Sequence, residues 1–126
     1  MSRLTTARLL AAVAAASLLV ASLVHFGYFV EGYSHDGAAV PEAVIGSVML
    51  VGLALSWAPA PWGWRGLVGA LGFGLAGSLV GLYLVMIGIG PQTVADVVYH
   101  VLLVATLIAG LYVAWRVPRG STRAIG

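Results

Sequence analysis

The chain has 126 residues, 61% of them hydrophobic and only 8% charged, with no cysteine and a formal net charge of +2. A soluble domain needs about 25% charged residues to cover its surface, so lipid is the expected solvent and an integral membrane protein the expected class. The missing thiols exclude disulfides, thiolate metal sites and the cysteine-pair chemistry of four-helix membrane enzymes such as the vitamin K epoxide reductase type. No nucleic acid partner is implied by the basic pI, because the arginines stand at the ends of apolar runs rather than in a patch.

The first apolar run extends over 9–30, from Leu9 to Val30, enough at 1.5 Å per residue to cross a hydrocarbon core of about 30 Å. Its opening, "MSRLTTARLLAAVAAASLLVAS", has the basic start and apolar middle of a signal peptide. The run outlasts a typical signal core of roughly 7–15 residues, so an uncleaved first span is expected. A second, short run covers 42–57, opened by Pro41 in a first helical turn and closed by "APAPWGW", whose prolines cannot continue a helix. A third covers 64–89 and ends at "GIGP", and a fourth covers 93–115 before "RVPRGSTR". The connections are too short for a soluble domain. The expectation is one all-α transmembrane four-helix bundle over 1–126.

The charges separate along these spans. Arg3, Arg8, Arg65, Arg116, Arg119 and Arg123 all fall on one side, while Glu31, Asp36, Glu42 and Asp96 fall on the other. The positive-inside rule then predicts a multi-pass protein of the cell (inner) membrane with both termini cytoplasmic. Trp57, Trp62, Trp64 and Trp115 cluster on the arginine side, as an interfacial aromatic belt does.

Helices in lipid associate by close packing, so small residues mark their interfaces. The third span carries Gly66, Ala70, Gly74 and Ser78 in one row and Gly77 and Gly81 in a neighbouring one. Ala7, Ala11 and Ala15 in the first span, and Thr106, Gly110 and Ala114 in the fourth, complete the set. These rows point to packing within the chain, and two of them together also point to a homo-oligomer or a larger membrane complex.

One layer near the acidic side carries chemistry. Thr93 and Asp96 fit the N-cap and N3 positions of a capping box, at a helix end whose dipole favours a carboxylate. His100 lies one turn deeper on the same face, and His25 of the first span is expected at similar depth, about five residues from the outer end of its helix. Tyr28, Tyr83, Met86 and Tyr99 are expected in the same layer. Ionisable residues inside spans are costly and face the bundle interior or a wet cavity, so this cluster is the candidate site. His25 and His100 suit axial ligation of haem, although this side offers no Arg or Lys for its propionates. With Asp96 they also make three ligands for a divalent metal, with His35 or Glu31 in reserve, but no HExxH spacing supports it. A proton relay or small-ligand site is a further reading, and the plainer alternative is an interhelical hydrogen bond. The loop "EGYSHDGAAVPE" reads as a solvated turn that is able to cover the layer.

The stretch "GLYLVMIGIGPQTVADVVYH" and the span pattern resemble those of small four-span bacterial membrane proteins, a group that carries no assigned chemistry to transfer. Small multidrug transporters have a similar plan, but Ala14 to Leu19 occupy the depth where their first-span glutamate would stand. DoxX-like proteins share the length and span count without motifs that align. The expected function is a non-enzymatic membrane module or accessory subunit. A haem- or metal-binding redox or ligand site at His25 and His100 is the second reading, and an oligomeric channel or transporter lined by the third span's glycines the third.

Overall fold

Serine, histidine and threonine start three of the four helices, because each offers a side-chain acceptor to an otherwise unpaired amide. The structure, a computed structural model, describes residues 1–59 and 61–117; Arg119 and Arg123 lie outside the described residues. Helix α1 covers Arg3–His25, α2 Asp36–Leu55, α3 Trp62–Met86 and α4 Val94–Trp115. Ser2 Oγ accepts from the Thr5 amide, His35 Nδ1 from Ala38 and Thr93 Oγ1 from Asp96. All four helices are long and apolar enough to cross a membrane.

Two helices stop earlier than their hydropathy does. At the end of α1, Gly27 takes a φ of +84° and the Tyr28 amide bonds back to the Leu23 carbonyl at 3.1 Å. The end of α3 repeats the device, with Gly88 at +87° and Ile89 bonding to Leu84 at 2.9 Å. These are Schellman closures, which need a left-handed residue that glycine supplies without strain. The expected limits at Val30 and Ile89 are thus corrected to His25 and Met86. In the other direction, α2 begins at Asp36 rather than Glu42, because His35 caps it; Pro41 therefore lies in the second turn rather than the first, where it removes one backbone donor. That makes α2 a 20-residue helix, no longer short for a bilayer.

The helices form an antiparallel ring, in which each packs on its sequence neighbours and α1 closes against α4. Across the diagonals, α1 and α3 barely touch, and α2 and α4 do not pack. Met49, Leu67, Leu71 and Leu107 fill the centre, with Ala7, Ala11, Ala14 and Ala15 letting α1 lie close. The third span's small residues serve this packing. A Cβ added at Gly52 would lie 2.1 Å from Ala70 Cβ and 2.8 Å from the Gly66 carbonyl, so α2 and α3 touch backbone to backbone there. Gly74 admits Met49, Gly77 admits Ile45, and Gly110 admits Leu71 in the same way. Thr106 departs from its row: it is only half-buried, and its hydroxyl donates to its own helix at the Leu102 carbonyl. Outward-facing Val13, Val51, Phe73, Val80 and Ile108 present the apolar coat that lipid requires.

The end of the bundle that holds the termini carries the described arginines. Arg8 donates to Ser56 through both its Nε, at 2.9 Å to Oγ, and Nη2, and its guanidinium stacks 4.4 Å over Trp57. Arg3 donates to the Arg116 carbonyl at 3.0 Å, satisfying part of the C-terminus of α4. Arg65 lies over Trp62 and Arg116 over Tyr112. The opposite end, made by the α1–α2 and α3–α4 loops, holds the polar layer.

Candidate functional site

Because α1 ends at His25, this histidine stands on its helix's last turn, not several residues inside it as expected. Because α2 begins at Asp36, Glu42 lies one and a half turns inside its helix, facing inward, rather than at the mouth of a loop. The two corrections bring these residues together. His25 Nδ1 and Glu42 Oε2 form a hydrogen-bonded pair at 2.7 Å. Glu42 is the main residue that sequence reasoning missed. Its signal was the Glu–imidazole complementarity between two adjacent spans.

On α4, Asp96 and His100 stack one turn apart as expected. Thr93 caps the helix at 3.1 Å from the Asp96 amide, but the reciprocal half of the capping box does not form. The Asp96 carboxylate turns inward instead, placing Oδ1 3.6 Å from His100 Nδ1 and leaving Oδ2 buried with no hydrogen-bond partner. His100 Nδ1 lies 2.9 Å from the Asp96 carbonyl oxygen, which can only accept, so Nδ1 carries the proton. In the neutral ring Nε2 is then a bare acceptor. It lies against Gly81, where an added Cβ would be 3.0 Å away, and no donor among the described residues reaches it.

His25, Glu42, Asp96 and His100 are 4%, 7%, 6% and 8% exposed, so four ionisable groups share one buried layer. They line a central cavity of about 210 Å³ that all four helices enclose. Leu18, Ile45, Val85 and Leu103 give it apolar walls, and His35, Gly90 and Pro91 of the two loops also line it. Ser78 Oγ, from α3, and the Tyr99 hydroxyl, from α4, are likewise buried without a hydrogen-bond partner among the described residues. An open groove between α1 and α4, lined by Ser17, Val24, Tyr33 and Ala95, reaches His25, Asp96 and Tyr99 from the flank.

Other expected members of the layer are elsewhere. Tyr28 is 73% exposed because the Gly27 turn carries it out of α1, and Tyr83 is 62% exposed on the outer face of α3. Met86 is exposed at the end of α3. Tyr99 does belong to the site, with its hydroxyl buried and its ring edge-on to His100 at 5.3 Å. The α1–α2 loop does more than turn in solvent. Tyr33 stacks on His25 at 6.1 Å and its hydroxyl bonds Thr93, so the loop straps α1 to α4 above the layer.

A metal or haem does not fit this arrangement. Among the described residues, no three of His, Asp and Glu converge on a point where an ion would sit. His25 is turned to Glu42 rather than towards Asp96 and His100, and His35 is spent as a helix cap. The cavity of about 210 Å³ falls short of the roughly 300–1,000 Å³ of drug-sized ligand sites, and a porphyrin is larger than most such ligands. What the layer offers is hydrogen-bond acceptors over apolar walls. No protein-family model, curated protein or solved structure matches this chain.

Proposed function

We propose that this multi-pass membrane protein is a non-enzymatic module that holds a small molecule in its central cavity. The observation that carries the reading is that Asp96 Oδ2, Ser78 Oγ and the Tyr99 hydroxyl, all on residues that line the cavity, are buried without a hydrogen-bond partner among the described residues. An unpaired buried polar group costs about 1–3 kcal/mol in a protein interior, and ionisable groups within spans persist where a bundle interior or a wet cavity receives them. A partner from outside the chain accounts for their retention. The side lined by the loops and the flanking groove supply the routes to it. Complete charge separation between the two ends supports a cell membrane location with both termini cytoplasmic, which opens the cavity to the outer side.

Binding of benzyl alcohol, a neutral molecule of one ring and one hydroxyl, tests this reading. The full chain in phosphatidylcholine nanodiscs should bind it saturably, above the partitioning seen with empty nanodiscs. Ser78→Phe, which fills the cavity from α3, should abolish the saturable part while helix content stays unchanged. Wild-type protein that takes up no more than empty nanodiscs would overturn the proposal.

A further inference from the structure

We propose that the cavity selects small apolar molecules that carry a single ammonium group. The inference rests on the binding role just described and names its ligand class. The polar atoms around the cavity are mostly acceptors. Asp96 Oδ2 has no donor, His100 Nε2 is bare because Nδ1 is committed to a carbonyl, and Glu42 has one oxygen beyond the one that holds His25. Ser78 Oγ and the Tyr99 hydroxyl are the exceptions, each able to donate or accept. A ligand complementary to this set brings donors, and an ammonium brings three with a positive charge.

Charge points the same way. No Arg or Lys occurs in 9–64 or 66–115, and the described arginines are tied to the opposite end of the bundle by Ser56, Trp57 and the Arg116 carbonyl. The titratable groups around the cavity are His25 from α1, His35 from the loop, Glu42 from α2, and Asp96, Tyr99 and His100 from α4, while α3 adds only Ser78. Glu42 is balanced by His25 at 2.7 Å. Asp96 has no comparable partner, since its nearest nitrogen on His100 is 3.6 Å away and already donating elsewhere. An anion would meet two carboxylates and no fixed cation, whereas an ammonium would complete Asp96. The walls of Leu18, Ile45, Val85 and Leu103 ask for an apolar body. A volume of about 210 Å³ sets its size near one ring, since a cavity of about 150 Å³ already accepts benzene.

Three probes sharing one ring test the class: benzylamine, benzyl alcohol and benzoate, each measured by equilibrium dialysis against the full chain in uncharged phosphatidylcholine nanodiscs. Benzylamine is expected to bind at least tenfold more tightly than benzyl alcohol, and benzoate most weakly. Asp96→Asn keeps the side chain's shape and should remove the preference for the amine over the alcohol. Equal affinity for amine and alcohol, with the alcohol still saturable, would overturn the ligand class and leave the binding role standing. Absence of saturable binding by every probe would overturn both. An amine preference that persists in folded Asp96→Asn, or that empty nanodiscs reproduce, would also overturn the proposal. The amine-to-alcohol ratio of the wild-type chain decides the matter by itself if that variant does not fold.

Discussion

The His25–Glu42 pair is the most consequential contact at the residue scale, because two ionisable groups are buried together where neither is tolerable alone. His25→Ala leaves Glu42 without its partner and should cost about 3–5 kcal/mol, measured by chemical unfolding in mild detergent. Glu42→Gln keeps a hydrogen-bonding partner for the imidazole and should cost distinctly less. Ser78→Ala should go the other way, stabilising the ligand-free protein by up to about 1 kcal/mol, since it removes a hydroxyl that has no partner. A loss of stability in Ser78→Ala would mean that its oxygen is satisfied in the resting protein. Asp96 and His100 were legible as a pair from their spacing alone, because i and i+4 share a helix face whatever surrounds them. Glu42 was not, since its burial depends on where α2 starts, and that rests on a histidine acting as a helix cap.

At the scale of elements, glycine has two separate duties that composition does not tell apart. Gly27 and Gly88 end helices, and each holds a φ that a Cβ would strain. Gly27→Ala should destabilise by about 1–2 kcal/mol through that left-handed backbone alone, with the loss read from a lowered Tm. Gly52 lets helices meet. Gly52→Ala drives its new methyl into Ala70, and should cost about 1–3 kcal/mol by overpacking. Ala70→Gly in the same chain should recover much of that loss, because it vacates the position being struck. Gly69 faces open space on α3, so Gly69→Ala should be neutral or stabilising by up to about 1 kcal/mol. If Gly69→Ala instead shifts the molecule's size in multi-angle light scattering, that face is an interface between copies. Hydropathy misplaced the ends of α1 and α3 because Val30 and Ile89 are as apolar as the spans, and only a hydrogen-bonding pattern marks where the helix stops.

The whole molecule is polarised. The described arginines, the tryptophans, the start of α1 and the end of α4 occupy one end, and the buried acids, histidines and cavity occupy the other. Helix α1 contributes Ala7, Ala11, Ala14, Ala15 and Leu18 to the core as well as His25 to the site. Deleting 1–25 should therefore abolish the folded bundle, seen as loss of a monodisperse peak in gel filtration rather than as a mild fall in Tm. Fluorescent-protein fusions at either end of the chain should both fluoresce in the cytoplasm of a bacterial host. Fusions dark at both ends would reverse the orientation read from the arginines, and one dark end would overturn the four-span topology.

Composition, hydropathy and the placement of six arginines were sufficient, by themselves, for an all-α bundle of four spans with a polar layer at one end. These are properties of each segment against its solvent, and lipid imposes them on a helix regardless of its neighbours. The tertiary structure alone decided which polar groups meet. It set His25 against Glu42, turned Asp96 away from its cap, swung Tyr28 and Tyr83 outward, and left a cavity lined by all four helices. Those outcomes depend on the register and rotation of each helix. They follow from close packing at Gly52, Gly74 and Gly77 and from two glycine-closed helix ends, which no span taken alone can specify.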